Sequence, residues 1–426
     1  PARQPPFPRD ARRAPRRAGP GGRRRAGRLR ELLLSGVIDS FGNSLGWTVV
    51  LLIGSARGGL SEAALFSAAM LIGTVVSAPV TGWLSRRLTG RWLLRGTATV
   101  EGTLRIAILG ALVAGLPAWL VAIAIGLMNV AAWTGYAGMR AEVSAVDAST
   151  RSMTRYAVGI AGVEAGGTAL AALLPKGPAG YPAGWLLVAV FVAYAGSMLP
   201  TMVTARRARI SPMPGASRNQ LPGPGIPTTE VVRQAHASVR LPSVRLLIAG
   251  GGIMLTAAGP VLLAVPVTEE LHGSGWVAGA AVAFCLGTLL STTAAGLIAK
   301  LRLPAVLRWT MWGLGMLVGW IFAPAYAPMV LAAQFLAGLS QTAFEGDMDS
   351  RVAEEAPRAA LTRDLAYSAS VRALGGAVAV RLLPMLVAAP AIGTVASVAG
   401  LALGVTALAL WAGLSTVPHL VRRLAH

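Results

Sequence analysis

The sequence has few charged residues, which make up only 13% of its 426 positions. A soluble protein of this length has about a quarter of its residues charged, whereas 54% of this chain is hydrophobic. The shortage of charge excludes an ordinary soluble domain. Ten-residue segments of alternating polarity, which a membrane β-barrel needs, are also missing. The composition therefore predicts a helical membrane protein.

Cysteine and histidine are scarce as well. Cys285 is the single cysteine, so the chain can form no internal disulfide and no thiol metal site. The four histidines fall in predicted loops or near the end of the sequence, which excludes a histidine proton relay inside a membrane. No nucleotide phosphate loop, zinc-ligand helix or serine nucleophile elbow is present. We expect no cofactor, no metal and no enzymatic activity.

What the sequence does contain is twelve hydrophobic runs of about 20 residues, the length that crosses a bilayer as a helix. A polar segment separates six of them from the other six. The runs cover residues 32–54, 62–85, 92–115, 118–139, 152–175, 183–205, 244–267, 275–299, 304–325, 328–346, 362–388 and 391–416. This pattern predicts an all-α polytopic membrane protein with two six-helix bundles, at 32–205 and 244–416.

Positive charge is concentrated in alternate loops. The formal net charge of +21 would point to nucleic acid in a soluble protein. Here the arginines cluster in the loops of one side, and the opposite loops carry only Arg57 and Lys176. By the positive-inside rule both termini and the central loop are cytoplasmic. We expect the plasma (inner) membrane and a lipid partner, without nucleic acid.

The segments outside the bundles are polar. Residues 1–31 hold eleven arginines among Pro, Gly and Ala, which predicts a disordered cytoplasmic tail. Residues 206–243 predict a cytoplasmic central loop with a short interfacial helix over about 229–241. Residues 417–426 predict a second cytoplasmic tail.

The two halves resemble each other at an offset near 208. Thr154-Arg155 corresponds to Thr362-Arg363, and the Val-Glu-Ala-Gly-Gly sequence around Glu164 corresponds to Val-Arg-Ala-Leu-Gly-Gly around Arg372. Two parallel six-helix repeats with a central cytoplasmic loop are a transporter architecture. The repeat places Glu164 and Arg372 at equivalent positions.

The loop between runs two and three resembles a motif of the major facilitator superfamily, Gly-x-Leu-Ala-Asp-Arg-x-Gly-Arg-Arg/Lys. The matching residues are Gly82, Leu84, Arg87, Gly90 and Arg91, the last two after one inserted residue. Arg86 stands where that family has an acid that helps to latch the closed cytoplasmic side. The resemblance implies that family's fold, in which two pseudo-symmetric six-helix bundles alternate access to a central site.

Charged side chains inside the predicted helices are costly in lipid and usually face the protein interior or water. Asp39 and Asn43 lie one turn apart on run one, and Glu164 and Arg372 are related by the repeat. These four residues are candidates for transport or ion coupling, and for Asp39 a capping or packing role is the alternative. Arg381 is half a turn out of phase with Arg372 and is expected to pair elsewhere or reach the membrane interface.

Three further patterns lie on the helices. Glu101 and Arg105 are four residues apart and predict an internal ion pair that holds run three against its neighbours. Two polar or aromatic stripes predict cavity-lining residues, with helix packing as the alternative. The stripes are Asn129, Trp133 and Tyr136 on run four, and Gln334, Gln341 and Glu345 on run ten.

These features predict a secondary active transporter that moves a small molecule by alternating access. We expect coupling to protons or another ion, and export of an amphipathic molecule. The alternative is a transporter-like scaffold or sensor that does not transport. Arg86 favours that alternative, and so does the lack of the family's Arg-x-x-Gln-Gly pattern in run four and Gly-Pro pair in run five.

Overall fold

The computed structural model describes residues 20–146, 150–208, 244–301, 303–355, 361–387 and 404. Every regular element in these ranges is a helix. The first half of the chain contains α1 (Pro20–Arg87), α2 (Gly90–Val113), α3 (Ala118–Val146), α4 (Thr150–Leu173), α5 (Trp185–Gly196) and α6 (Leu199–Ala205). The second half contains α7 (Val244–Ala257), α8 (Gly259–Leu262), α9 (Ala264–His272), α10 (Ser274–Lys300), α11 (Ala305–Phe322), α12 (Pro328–Glu355) and α13 (Leu361–Val387).

Five of the described helical stretches are long and apolar enough to cross a membrane. They are Gly27–Ser85, Gly90–Val113, Ala118–Met139, Trp185–Ala205 and Ser274–Lys300. The predicted all-α polytopic fold is confirmed. Some predicted segments lie outside the described residues, namely 1–19 of the first tail, 209–243 of the central loop, the twelfth run at 391–416 apart from residue 404, and 417–426.

Helix α1 holds the first two predicted runs. It is interrupted at Gly58 and Gly59, and Gly59 has a φ of 62°, a backbone conformation that glycine adopts without steric cost. The two arms fold against each other, because a Cβ added at Gly54 would lie 2.8 Å from the ring of Phe66. Arg57 stabilises this turn by donating to the carbonyls of the last turns of α2 and the residues that follow.

The start of α1 differs from the prediction of a disordered segment over 1–31. The helix begins at Pro20, so 20–31 is helical. Arginine and leucine are good helix formers, and extending an existing helix avoids the cost of nucleating a new one. Arg28 also donates to the carbonyl of Thr204 at 3.0 Å, which fixes this part of α1 against the end of α6.

Prolines divide two of the predicted runs. Run six is split into α5 and α6, with Pro200 in the first turn of α6. Run seven is split into α7, α8 and α9, with Pro260 in the first turn of α8 and Pro266 inside α9. Proline lacks the backbone donor that continues a helix and clashes with the preceding turn, which explains both interruptions.

Helix α12 continues to Glu355, nine residues beyond the predicted end of run ten at 346. The extension carries Asp347, which accepts two hydrogen bonds from Arg308 of α11, at 2.7 and 3.0 Å. It also carries Asp349, which pairs with Arg372 of α13. Because these acids are paired with arginines from neighbouring helices, the charges do not end the helix.

Each half has a buried core of its own. In the first half, residues such as Ile53, Phe66 and Ile108 pack together. In the second half, two tryptophans of α11 pack against Phe344 and Met348 of α12. Each half therefore packs around its own core, and a further buried cluster joins α1 to α9 and α13.

Candidate functional site

Arg105 of α2 is buried at the centre of the first half, with 1% of its surface exposed. It pairs with Asp39 of α1 at 2.9 Å and with Glu101, one turn earlier on α2. The guanidinium also contacts the Asn43 amide oxygen at 3.3 Å, and the Ser197 hydroxyl and the Tyr194 carbonyl, both at 2.8 Å. Arg105 therefore connects three segments, and the predicted Glu101–Arg105 pair is one part of this larger cluster.

A small cavity lies beside Asp39. Its volume is about 30 Å³, enough for about two water molecules. Ser40, Thr97, Glu101 and Tyr136 are among the lining residues. Asp39 is thus held by Arg105 on one side and meets a polar cavity on the other.

Glu164 of α4 faces the interior of the protein. It lies seven residues before Ala171, so the two side chains share a helix face, and Ala171 is fully buried. Ala172 packs with Val277 and Ala278 of α10 in the second half. The Glu164 side chain is nevertheless exposed, so an opening in the interior reaches it.

The surroundings of Glu164 come from both halves. Gly167, one turn later, lies so close to α1 that an added Cβ would be 2.7 Å from the carbonyl of Phe41. The Glu164 carboxyl is near enough to Asp39 and to the Cys285 thiol of α10 for electrostatic interaction. Glu164 therefore lies where α1, α4 and α10 approach one another.

Arg372 of α13 is the corresponding buried arginine of the second half, with 6% of its surface exposed. It donates to the Ser368 hydroxyl at 2.9 Å and to the Asp349 carboxylate at 2.8 Å. The Asp349 side chain is 45% exposed. Arg372 does not contact Glu164, so the repeat places the two residues in corresponding but separate positions.

The stripe on α12 is only partly brought into this region. Gln341 donates to the Glu345 carboxylate at 3.1 Å, and Glu345 is near enough to Arg372 and Asp349 for electrostatic interaction. Gln334, two turns earlier, is buried, with 2% of its surface exposed. The first two residues belong to the Arg372 cluster, whereas Gln334 belongs to the packed interior of the bundle.

The stripe on α3 is divided in the same way. Tyr136 lines the cavity beside Asp39, and Trp133 contacts it edge to face with 5.6 Å between ring centroids. Asn129 is buried, donates to the Ile125 carbonyl and packs against Gly73 of α1. Asn129 therefore packs α3 against α1 and does not line the cavity described above.

The described contacts between the halves lie toward one end of the molecule, which we call the contact end. Lys176 after α4 forms an ion pair with Glu269 of α9. Arg381 of α13 donates to the Ser61 carbonyl of α1 at 3.3 Å, so it pairs across the halves. Apolar residues of α1 also pack with residues of α9 and α13 at this end.

Solved transporter structures share this arrangement of helices over nearly the whole chain. The nucleoside transporter NupG, as its D323A mutant, has a TM-score of 0.64 at 12% identity and covers 90% of this chain and 98% of its own. An auto-inhibited POT family peptide transporter has a TM-score of 0.63 at 12% identity, covering 94% and 97%. A D-xylose–proton symporter has a TM-score of 0.62 at 14% identity, covering 90% and 97%.

The chain has the major facilitator fold. No family model matches the sequence, and no curated protein matches it. At identities this low the similarity is one of fold, and with the apolar helices it makes the chain a multi-pass membrane protein.

The loop that resembles the major facilitator motif joins α1 to α2. Arg87 ends α1 and stacks on the ring of Trp83, with 4.3 Å from Cζ to the ring centroid. Gly90 begins α2 and is buried, whereas Gly82 and Arg91 are exposed. The described contacts of Arg87 are therefore within its own half.

Sequence reasoning missed Asp349, although the signal was present. Gln341, Glu345 and Asp349 are spaced by four residues on one helix face, but the run of apolar residues ends at 346. The connection of Asp39 to Arg105 was missed for another reason. It joins residues 66 positions apart, and no spacing within one helix predicts it.

Proposed function

We propose that the protein is a secondary active transporter, which moves a small molecule across the membrane by alternating access between its two halves. The exposed Glu164 carboxyl carries this proposal, because it lies in a membrane helix between two bundles that meet at the contact end. An ionisable residue in such a position marks a substrate or ion path. Transport also agrees with the names of the similar structures, which are a nucleoside transporter, a peptide transporter and a sugar–proton symporter.

The orientation follows from the charge distribution. The arginine-rich loops lie at the end opposite the contact end, and the positive-inside rule assigns them to the cytoplasm. In this orientation both termini are cytoplasmic, the membrane is the plasma (inner) membrane, and the described conformation is closed toward the outside.

The finer proposal is an exporter coupled to an ion gradient. Asp39 or Glu164 is the group that carries a coupling proton, and their electrostatic interaction lets a proton on one affect the other. Arg372 is already paired with Asp349. This pairing disfavours direct binding of an anionic substrate by Arg372. It favours a role in which the positive charge of Arg372 returns the coupling acid to its ionised form.

Cys285 offers a test that needs no known substrate. Because it is the single cysteine, a membrane-impermeant maleimide can be applied to either side of oriented proteoliposomes, with Cys285→Ser as the control for background labelling. A protein that alternates between two conformations exposes the same thiol to both sides in turn. We expect labelling from both sides, and faster labelling from the cytoplasmic side.

A scaffold or sensor that does not transport is the second candidate, favoured by Arg86 at the position where the family has an acid. Such a protein would keep its contact end closed, and Cys285 would then react from one side only. That result would exclude alternating access at the opening that reaches Glu164.

A further inference from the structure

The acidic side chains of the described clusters differ in the residues that pair with them. Asp39 and Glu101 share Arg105, and Asp349 pairs with Arg372. Glu345 accepts a hydrogen bond from Gln341 and lies close to Arg372. Glu164 has no hydrogen bond or ion pair with any other described residue, and its electrostatic neighbours are Asp39 and Cys285.

An unpaired carboxylate in the interior of a membrane protein is unfavourable, because neither lipid nor apolar side chains replace its hydration. Arg105 cannot neutralise Glu164 as well, because it already serves two carboxylates. Arg372 is held by Asp349 on a different pair of helices. None of the described residues therefore supplies a positive charge to Glu164, and a proton or a cation from solution can neutralise it through the opening that exposes it.

The surrounding residues suit an organic cation. The described clusters around Arg105, Glu164 and Arg372 contain five carboxylates and two arginines, although the whole chain has a net charge of +21. The carboxylates are Asp39, Glu101, Glu164, Glu345 and Asp349, and the arginines are Arg105 and Arg372. Glu142 of α3 is a further buried acid, with 1% of its surface exposed. Near Asp39, the rings of Trp133 and Tyr136 lie edge to face, and aromatic faces attract cations that have shed their water.

We propose that the transported molecule is an amphipathic organic cation, and that the Glu164 carboxylate binds its positive group between the two halves. This inference rests on the proposed transport function and names the substrate class for the same site. The excess of acids in these clusters disfavours anionic substrates, because an anion would meet Glu164 and Asp39 while both arginines of the described clusters are already paired. A neutral molecule would leave Glu164 unpaired when it is bound.

The test uses two probes of the same shape and different charge. Benzyltrimethylammonium is a cation, and 2,2-dimethylpropylbenzene has the same shape with a neutral carbon in place of the nitrogen. Tetraphenylphosphonium and tetraphenylborate form a second, larger pair of opposite charge. The measurement is the rate at which Cys285 of the full-length protein in proteoliposomes reacts with a maleimide at increasing concentrations of each probe.

We expect at least one of the two cations to slow the labelling of Cys285, and its neutral or anionic counterpart to leave the rate unchanged. Glu164→Gln keeps the shape of the side chain and removes its charge. It should raise the apparent dissociation constant of that cation about tenfold, the order of one charge-assisted contact. Glu164→Asp should retain part of the affinity, and Glu354→Gln, at an exposed site near the end of α12, should retain all of it.

The outcomes separate this proposal from the transport function. If Cys285 reacts from both sides but neither cation protects it, the protein alternates and the cationic substrate is wrong. Equal protection in the wild type and Glu164→Gln would show that the cation binds without this carboxylate and would also overturn the proposal. Labelling from one side only would contradict the transport function itself. A thermal-unfolding measurement on each variant shows whether it is folded.

Discussion

Among the described residues, each half of the protein holds one buried arginine, and the two are stabilised differently. Arg105 contacts two carboxylates, an amide, a hydroxyl and a backbone carbonyl on three segments of the first half. Arg372 contacts one hydroxyl on its own helix and one carboxylate, Asp349, whose side chain is 45% exposed. The first arginine thus belongs to the packing of its bundle, whereas the second remains connected to water through its partner.

This difference bears on how each half can move. The Arg105 cluster fixes α1, α2 and the segment after α5 relative to one another, so the first half is expected to behave as one rigid body. In the second half the described hydrogen bonds and ion pair of Arg372 join only α12 and α13, although its aliphatic part also packs against Gly250 of α7. A change in hydration or charge near Asp349 can therefore alter the second half more readily than the first.

Loss of Arg105 should have the largest effect on stability. Arg105→Ala leaves the buried Glu101 and the partly exposed Asp39 without a positive partner, and breaking a buried pair such as Glu101–Arg105 costs about 3–5 kcal/mol. Arg372→Ala should cost about half as much, because water can solvate the exposed carboxylate of Asp349. The measurement is thermal unfolding of the purified variants in detergent. Arg207→Ala, at a site where the side chain is 75% exposed, should change stability by less than about 0.5 kcal/mol.

A comparable loss of stability in Arg105→Ala and Arg372→Ala would contradict the difference between the two clusters. A triple variant sharpens the test. Combining Arg105→Ala with Asp39→Asn and Glu101→Gln removes the uncompensated charges, and part of the lost stability should return if charge burial is the cause.

Substitution of either candidate coupling acid, Asp39 or Glu164, should affect transport more than stability. Asp39→Asn and Glu164→Gln are near-isosteric, so both variants should fold. At least one should abolish uphill transport driven by an imposed pH gradient while leaving exchange or downhill flux. The flux into proteoliposomes with and without the gradient checks this. Wild-type behaviour of both variants would remove Asp39 and Glu164 as coupling sites.

The two arginines of α13 provide a third comparison, in which the expected effect is smaller. Arg372 lies in the interior cluster, whereas Arg381 contacts the Ser61 carbonyl at the contact end. Because Arg372 repels a bound cation and its loss frees the Asp349 carboxylate, Arg372→Ala should strengthen the binding of that cation by up to about tenfold, the order of one charge interaction. Arg381→Ala should change it less. Binding of the cation that protects Cys285 is the measurement. A larger effect of Arg381→Ala would place the site nearer the contact end.

The sequence predicted the helices well, because hydrophobic run length is a local property. The start and end of each helix were less predictable where tertiary contacts decide them. Helix α12 extends past 346 since Arg308 and Arg372 pair with its two aspartates. Likewise, α1 begins as early as Pro20, and Arg28 of this first part of the helix contacts the carbonyl of Thr204.

The candidate residues were predictable in kind but not in grouping. Charge inside an apolar run identified Asp39, Glu101, Arg105, Glu164 and Arg372 without any structure. The repeat predicts equivalent positions for Glu164 and Arg372 but not their partners, since Arg372 pairs with Asp349 and Glu164 has no described partner. Which acid pairs with an arginine depends on the distance between neighbouring helices. The spacing of residues along one helix does not give that distance.

The smallest expected effect concerns the contact end, where Lys176 and Glu269 join the two halves. Both side chains are partly exposed, 19% and 23% respectively, so their ion pair contributes at most about 1 kcal/mol. Lys176→Met should therefore shift the conformational equilibrium by no more than about fivefold toward opening at this end. The rate of Cys285 labelling from the outside should rise by that factor.

Lys300→Met removes the other lysine, at the opposite end of α10, and should leave the rate unchanged. Exchanging the charges in Lys176→Glu with Glu269→Lys should restore the wild-type rate. If this double variant stays fast, the contact end is closed by its apolar packing and the ion pair plays no part in gating.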